Sequence, residues 1–382
     1  MSERPRLRYG ILTLVAAWLL LCGTPTPRIT GHGLPDRLDD RAFWSIVTDF
    51  SEPGGYFRSD NLVSNELAFE QVIPPLQARV QPASAYIGVG PDQNFTYIAA
   101  LKPRISFIVD IRRQNMLLHL MYKAIIELSP TRVEFLARLF SRQPPTDLPL
   151  DASPDVLISA FQGVETSALA FERTRQDIRR TLTRDHGFAL SVADFSAIDY
   201  VFKAFYSAGP DIRYSFGRGN GWQPFPTYKD LMTEHDLADV QRSYMASEEL
   251  YEVLRDLETR NLIVPLVGDF AGPKALRSVA RYLDLHHATV SVFYTSNVEQ
   301  YLFRGDLWQR FYDNVGALPI DSRSTFVRAF FNNQGRVMRP DPGQMPPVGP
   351  RSEQLLNPIH SLLAAYGEGR ISNYYDVIEL SR

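Results

Sequence analysis

The feature that most constrains this chain is a pair of apolar segments, residues 85–90 and 105–110, with one helix-sized stretch between them. The first segment runs into a Gly-x-Gly turn at Gly88 and Gly90, and the second ends in an acidic residue. A strand, a glycine turn, a helix and a second strand ending in an acid form the arrangement on which nucleotide-type cofactors bind. We therefore expect a mostly parallel α/β sheet with a ligand site at the carboxyl end of its first strand.

Each residue of this pattern has an expected chemical role. Gly88 and Gly90 would let the chain turn sharply and let a ligand approach the backbone without meeting a Cβ atom. Asp110 lies 20 residues after Gly90, where a carboxylate can accept hydrogen bonds from a ribose diol. Asp92 and Asn94 follow the turn, either as cofactor contacts or as helix N-terminal residues that stabilise exposed amides. The remaining alternative is a generic βαβ unit whose glycines serve only the turn.

Three further polar residues follow predicted strands and are expected on the substrate side of the same site: Arg112, Asp269 and Asn297. The sequence does not contain a Gly-x-Ser-x-Gly nucleophile turn, a P-loop lysine motif or a His-Glu-x-x-His helix, so no catalytic residue is assigned. The adjacent pair His286 and His287 lacks a recognisable metal-ligand spacing, so no metal is expected.

The segment 85–113 resembles motifs I and II of the class I S-adenosylmethionine-dependent methyltransferases. It differs from them at Tyr86, where the family has an acidic residue, and at Asp92, where it has a third glycine. Together with 266–274 and 296–301, the segment is also similar to an uncharacterised bacterial family of methyltransferase-like proteins, found in spirochaetes among others. The resemblance implies a Rossmann-like fold, and S-adenosylmethionine as a cofactor held by residues such as Gly88, Gly90 and Asp110.

The first 23 residues read as a signal-like leader. Arg4, Arg6 and Arg8 precede an apolar stretch over 11–22, which is short for a membrane span but typical of a secretory signal. We expect an exported, periplasmic or membrane-anchored protein, with lipidation at Cys22 as one alternative. A mis-assigned start codon, which would leave the mature protein in the cytoplasm, is the other. The net charge of −3 offers no basic excess for binding nucleic acid.

Beyond a linker at 24–38, residues 39–382 are expected to form one α/β domain. A largely helical region at about 130–260 is interpreted as an insertion that caps the sheet, and the glycine-rich stretch 215–224 within it as a mobile lid or a plain surface turn. Strand patterns at 325–331 and 374–380 predict an antiparallel pair at the C-terminus, with a helix at about 355–366 between them.

Two hypotheses follow. The first is a methyltransferase-like enzyme that binds S-adenosylmethionine or a related nucleoside and acts on a small molecule, since methyl transfer needs mainly positioning of donor and acceptor. The second is a noncatalytic exported or membrane-anchored envelope protein that retains a Rossmann-like scaffold, because one fold can host many functions. Export would separate the protein from a cytoplasmic cofactor, so the leader and the first hypothesis conflict.

Overall fold

The computed structural model describes residues 33–80, 84–215, 225–331 and 352–381. The predicted leader, Cys22 and most of the predicted linker lie outside these ranges, as do residues 216–224 of the glycine-rich stretch. The last part of the predicted linker, residues 33–38, packs on the domain, with Leu34 and Leu38 buried and the Leu38 N–H bonded to the Arg260 carbonyl.

A six-stranded sheet forms the centre of the described chain, in the order β3-β2-β1-β4-β5-β6. All neighbouring strands run parallel except β5 and β6, which pair antiparallel. This confirms the expected α/β class with a mostly parallel sheet. The strands are β1 (Ala85–Gly88), β2 (Ile105–Asp110), β3 (Ile263–Val267), β4 (Val290–Ser296), β5 (Thr325–Phe331) and β6 (Ser352–Pro358).

Helices surround the sheet. No helix within the described residues is long and apolar enough to cross a membrane. The α-helices are α1 (Asp40–Phe50), α2 (Ile73–Gln77), α3 (Gln93–Leu101), α4 (Arg113–Glu127), α5 (Arg132–Phe140), α6 (Pro154–Gln162), α7 (Ala168–Arg180), α8 (Val192–Ala208), α9 (Tyr228–Met232), α10 (Glu248–Thr259), α11 (Ala275–Leu285), α12 (Val298–Arg304), α13 (Trp308–Gly316), α14 (Ile359–Gly367) and α15 (Tyr374–Glu379).

Burial explains why the strand segments are so apolar. Every residue of β1, β2 and β3 is buried, as expected for parallel strands covered on both faces. Pro265 lies within β3, which is an edge strand of the described sheet and pairs there with β2. An edge strand needs its backbone donors on one side only, so this position tolerates a residue without an N–H.

The helices form two sets. Helices α3 and α4 pack against α10, and α11 packs between α1 and α13. Strands β2 and β3 lie on one side of β1 in the sheet, and the chain then crosses to β4 on the other side of β1. Because parallel crossovers are right-handed, this reversal assigns α3 and α4 to one face of the sheet and α11 to the other.

The connection from β2 to β3 contains helices α4 to α10 in its described part. Helices α5, α7 and α8 pack on α4. Among the described residues of the region 130–260, Tyr214 alone lines the cavity at the carboxyl edge of the sheet. The described helices of this region therefore pack on α4, and other segments line most of the carboxyl edge of the sheet.

The predicted strand at 374–380 is wrong. This stretch is helix α15, which begins after Asn373, whose side chain accepts the N–H groups of Tyr375 and Asp376. The Asp376 carboxylate in turn accepts the Asn373 N–H, which completes a capping box. The antiparallel partner of β5 is instead Ser352–Pro358, part of which the sequence had assigned to a helix.

Candidate functional site

A cavity of about 340 Å³ opens at the carboxyl edge of the sheet. Its wall is formed by residues that follow β1, β2, β3 and β4, by the segment 56–66 and by the start of α12. The order of the sheet reverses at β1, which lies between β2 and β4. Ligands of open α/β sheets bind in this position, and the volume lies within the range of small-molecule sites.

The structure brings together five of the eight residues that the sequence predicted. They line the cavity from four different strand ends: Gly90, Asp110, Arg112, Asp269 and Asn297. The other three predicted residues, Gly88, Asp92 and Asn94, are buried and do not line it.

Asn94 holds the turn after β1. Its amide nitrogen donates to the carbonyls of Val89, Gly90 and Pro91, at 2.9, 3.2 and 2.7 Å. Its amide oxygen accepts a hydrogen bond of 2.9 Å from the hydroxyl of Tyr86. Since these bonds go to carbonyl groups, Asn94 does not stabilise the N-terminal amides of α3, which was one of its two expected roles. It fixes the shape of the turn.

Gly90 presents backbone to the cavity. Its φ is +78°, in the left-handed region that favours glycine, and a Cβ atom built there would meet no other atom within 4 Å. The Gly90 carbonyl also lies 2.8 Å from His119 Nε2. His119 is fully buried, and burial lowers its pKa to about 4, so the neutral ring donates from Nε2. His119 is therefore a packed residue that supports the turn from behind.

Gly88 and Asp92 lie on the inner side of the turn. A Cβ on Gly88 would come within 1.9 Å of Asn94 Oδ1 and 2.7 Å of the Tyr86 hydroxyl, so this glycine is required by internal packing. Burial raises the pKa of Asp92 to about 7. Its side chain makes no cap bond to α3, and its polar contacts include the hydroxyl of Tyr244 at 3.4 Å and the backbone of Ser64.

Asp110 and Arg112 form a buried ion pair at the end of β2. Asp110 Oδ1 accepts the N–H and the Nε–H of Arg112 at 2.8 and 3.0 Å, and Oδ2 accepts from Nη2 at 2.9 Å. The guanidinium also donates to the carbonyls of Ser59 and Asp60. A carboxylate has about four acceptor positions, so the pair fixes Asp110 and leaves about one position on Oδ2.

Asp269 and Asn297 stand at the ends of two other strands. Asp269 Oδ1 accepts the N–H of Ala271 at 2.9 Å, while Oδ2 has no hydrogen bond to the described residues. Asn297 precedes α12 without capping it. The N-terminus of α11 is filled by the chain itself, because Glu52 accepts the N–H groups of Lys274 and Ala275, both at 2.8 Å.

The residue that the sequence analysis missed is Glu66. It lines the cavity at 1 % exposure and accepts hydrogen bonds from Gln93 Nε2 at 2.9 Å, from Gln354 Nε2 at 3.1 Å and from the hydroxyl of Ser296. Burial raises the pKa of Glu66 and outweighs these hydrogen bonds, which lower it. Glu66 lies in an irregular segment before the first strand, and its partners come from distant parts of the chain, so no local pattern marks it.

Aromatic and amide groups complete the wall. Phe57 and Tyr301 contact each other edge to face with ring centroids 5.4 Å apart, and Tyr214 is buried beside the Asp110–Arg112 pair. The Asn61 side-chain oxygen is buried without a partner among the described residues. Flat apolar rings with a few fixed polar groups are typical of a small-molecule site. In the described part of the chain, no group of three or more His, Cys, Asp or Glu residues could hold a metal ion.

Comparison with known proteins gives one match, to a protein family. No curated protein matches the chain. The sequence matches one protein family over residues 61–148 and 218–347, which together make up more than half of the 382 residues. The two matched segments include Glu66, Asp110, Arg112, Asp269 and Asn297, and helices α6, α7 and α8 lie between them. The chain therefore belongs to the family described as Domain of unknown function (DUF7790).

Proposed function

We propose that this protein binds a nucleoside-type ligand in the cavity at the carboxyl edge of its sheet, with S-adenosylmethionine as the first candidate. The observation that carries the proposal is the cavity itself, where Gly90 offers open backbone and Asp110 a fixed carboxylate from the adjacent strand. The strand order 3-2-1-4-5-6 supports a Rossmann-like fold, because it is the order of doubly wound sheets that bind dinucleotides.

The ribose position rests on Asp110. Its remaining acceptor position on Oδ2 suits one hydroxyl of a ribose diol, and the ion pair with Arg112 holds the carboxylate in a fixed orientation. The open space at Gly90 suits the adjacent part of the ligand, which can approach the backbone there without steric contact.

The base position rests on the aromatic part of the wall. Phe57, Tyr214 and Tyr301 line the cavity, and Tyr56 stands at its rim with 83 % of its surface exposed. Ring stacking is tolerant of the identity of the base, so it supports binding of a nucleobase without selecting one.

The proposed reaction is methyl transfer to a small acceptor. Transfer by direct displacement requires that donor and acceptor be held in line, and no covalent intermediate with the protein is needed. The chain's own contribution would be to hold the donor at Gly90 and Asp110 and to exclude water with its aromatic wall.

Calorimetric titration of S-adenosylmethionine and S-adenosylhomocysteine into the full-length chain tests the proposal. We expect saturable binding of one ligand per chain. Gly90→Ala should weaken it at least about tenfold, because Gly90 lines the cavity and alanine is strained at its φ of +78°, so the ligand would meet either an added methyl group or a shifted backbone. Absence of binding at millimolar ligand would refute the nucleoside proposal.

Gly369→Ala is the matched control. Gly369 has φ +71°, close to the value of Gly90, and a Cβ there also meets no atom within 4 Å, but it lies outside the cavity. Both variants carry the same kind of backbone strain, of roughly 1–2 kcal/mol. Equal loss of affinity in both would mean that Gly90→Ala acts through stability alone.

A further inference from the structure

The wall of the cavity contains a buried carboxyl group, Glu66, that forms no ion pair with a cation of the described chain. Glu66 is buried at its wall, and its four side-chain donors, from Ser296, Gln93, Gln354 and Tyr294, are all neutral groups. Hydrogen bonds of this kind favour the ionised carboxylate, whereas burial raises its pKa and favours the neutral acid, so a cationic group beside it would shift the balance to the carboxylate.

Two other buried carboxylates of the protein have a cation beside them, whereas the buried Asp92 has a tyrosine hydroxyl as its contact and a raised pKa. Asp110 has Arg112 at 2.9 Å, and Glu299 is paired with the fully buried Arg328. No Lys, Arg or His within the described ranges forms an ion pair with Glu66. A buried carboxylate without a counter-charge is costly, so a site that contains one is completed by a cation or by a proton.

The ionisable residues that line the cavity are mainly acidic. Three acidic residues line it, Glu66, Asp110 and Asp269, and within the described part of the chain Arg112 is its single basic residue. Arg112 is already engaged by Asp110. The two remaining carboxylates make the cavity a poor place for an anion and a favourable one for a cation.

Glu66 and Asp110 line the cavity beside the ends of two different strands. Asp110 ends β2 and Glu66 is bound to Ser296 at the end of β4, and these strands flank β1. Neighbouring strands are about 4.8 Å apart, so the ends of β2 and β4 are separated by roughly 10 Å. A ligand whose ribose lies at Asp110 can therefore extend a side arm to Glu66.

We propose that Glu66 is the recognition group for a positively charged group of the ligand, an ammonium or sulfonium, so that the cavity selects cationic over neutral ligands of equal size. The inference deepens the proposed function, since it rests on the same cavity being a ligand site. It assigns the role to a residue outside the glycine turn, on a side of the cavity that the sequence pattern does not reach.

Binding of matched pairs, measured by calorimetry on the full-length protein at pH 7, tests this directly. The first pair is 5′-amino-5′-deoxyadenosine and adenosine; the second, without a nucleoside, is tyramine and its hydroxyl analogue 4-(2-hydroxyethyl)phenol. We expect the amine of at least one pair to bind roughly tenfold or more tightly than its neutral partner, the size of a hydrogen bond to a charged group.

Glu66→Gln should abolish this preference, whereas Glu165→Gln, at an exposed position, should retain it. Thermal unfolding of each variant reports whether it folds. If Glu66→Gln does not fold, the comparison of paired ligands on the unaltered protein still decides, because it requires no variant.

The outcomes separate the two proposals. Binding of adenosine and its amine with equal affinity, together with no preference for tyramine over its hydroxyl analogue, would overturn the role of Glu66 and leave nucleoside binding intact. Preference for tyramine without any nucleoside binding would support Glu66 and refute the nucleoside proposal. If no amine binds better than its neutral partner in either pair, the inference about Glu66 is wrong.

Discussion

Gly88 and Gly90 are two residues apart, yet each needs the absence of a Cβ for a different reason. At Gly88 the space is filled by the protein's own side chains, Asn94 and Tyr86. At Gly90 the space is open and belongs to the cavity, and the positive φ sets the requirement for glycine. The same motif thus combines a packing constraint and a ligand-facing position.

Gly88→Ala should destabilise the protein by about 3 kcal/mol, because the added methyl group overlaps a buried amide that is already bonded to three carbonyls. Gly90→Ala should cost roughly 1–2 kcal/mol. Denaturant unfolding of both variants measures the difference. A cost at Gly88 equal to or smaller than that at Gly90 would contradict the packing role.

Single residues also mark the limit of sequence reasoning at this site. Asp110 could be predicted because it ends an apolar strand at a fixed distance from a glycine turn. Its pairing with Arg112 could not, since two residues at that spacing meet only where the chain bends back at the end of β2. Glu66 could not be predicted either, because its partners stand up to 288 residues away in sequence.

At the scale of elements, His186 ties α1 to α4. Its Nδ1 lies 2.6 Å from Asp40 of α1, and its Nε2 lies 2.7 Å from Glu127 of α4. Lys123 bonds the same Glu127 at 2.7 Å, and Asn261 bonds Asp40. Burial by itself would lower the pKa of His186, but the bonds and charges of Glu127 and Asp40 outweigh it and raise the pKa above its usual value.

This tie makes one contribution to stability pH-dependent. A raised histidine pKa stabilises the folded state fully below the ordinary value near 6.5, and the contribution is lost as pH rises through the raised value. We expect His186→Gln to destabilise the protein by roughly 2 kcal/mol at pH 6 and by clearly less at pH 9.

Denaturant unfolding at the two pH values checks this, with His235→Gln at an exposed position as the control. The control should cost little at either pH. A cost of His186→Gln that stays constant or grows from pH 6 to pH 9 would show that the imidazolium is not what joins α1 to α4.

At the scale of the whole molecule, five strands could be predicted from apolar runs bounded by turn residues, at 85–90, 105–110, 262–267, 289–294 and 325–331, and the structure confirms them at nearly these limits. The sixth was misplaced because Ser352–Pro358 is a partly exposed edge strand with a weak apolar pattern, whereas 374–380 has a denser one. The capping box formed by Asn373 and Asp376 favours a helix at 374–380. Local cues that compete with periodicity were thus the main source of error.

The site follows from topology rather than from any single motif. The reversal of strand order at β1 gathers residues from four strand ends and from the segment 56–66 into one cavity. Periodicity identifies strands but does not order them, so the sequence could nominate residues such as Asp269 and Asn297 without establishing that they meet.

The most direct test of this account is a crystal structure of the full-length protein grown with S-adenosylhomocysteine. The account predicts a ligand in the cavity with its ribose at Asp110 and its ammonium group toward Glu66. A ligand bound elsewhere, for example in the second cavity between α12 and α15, or a cavity without ligand at saturating concentration, would contradict it.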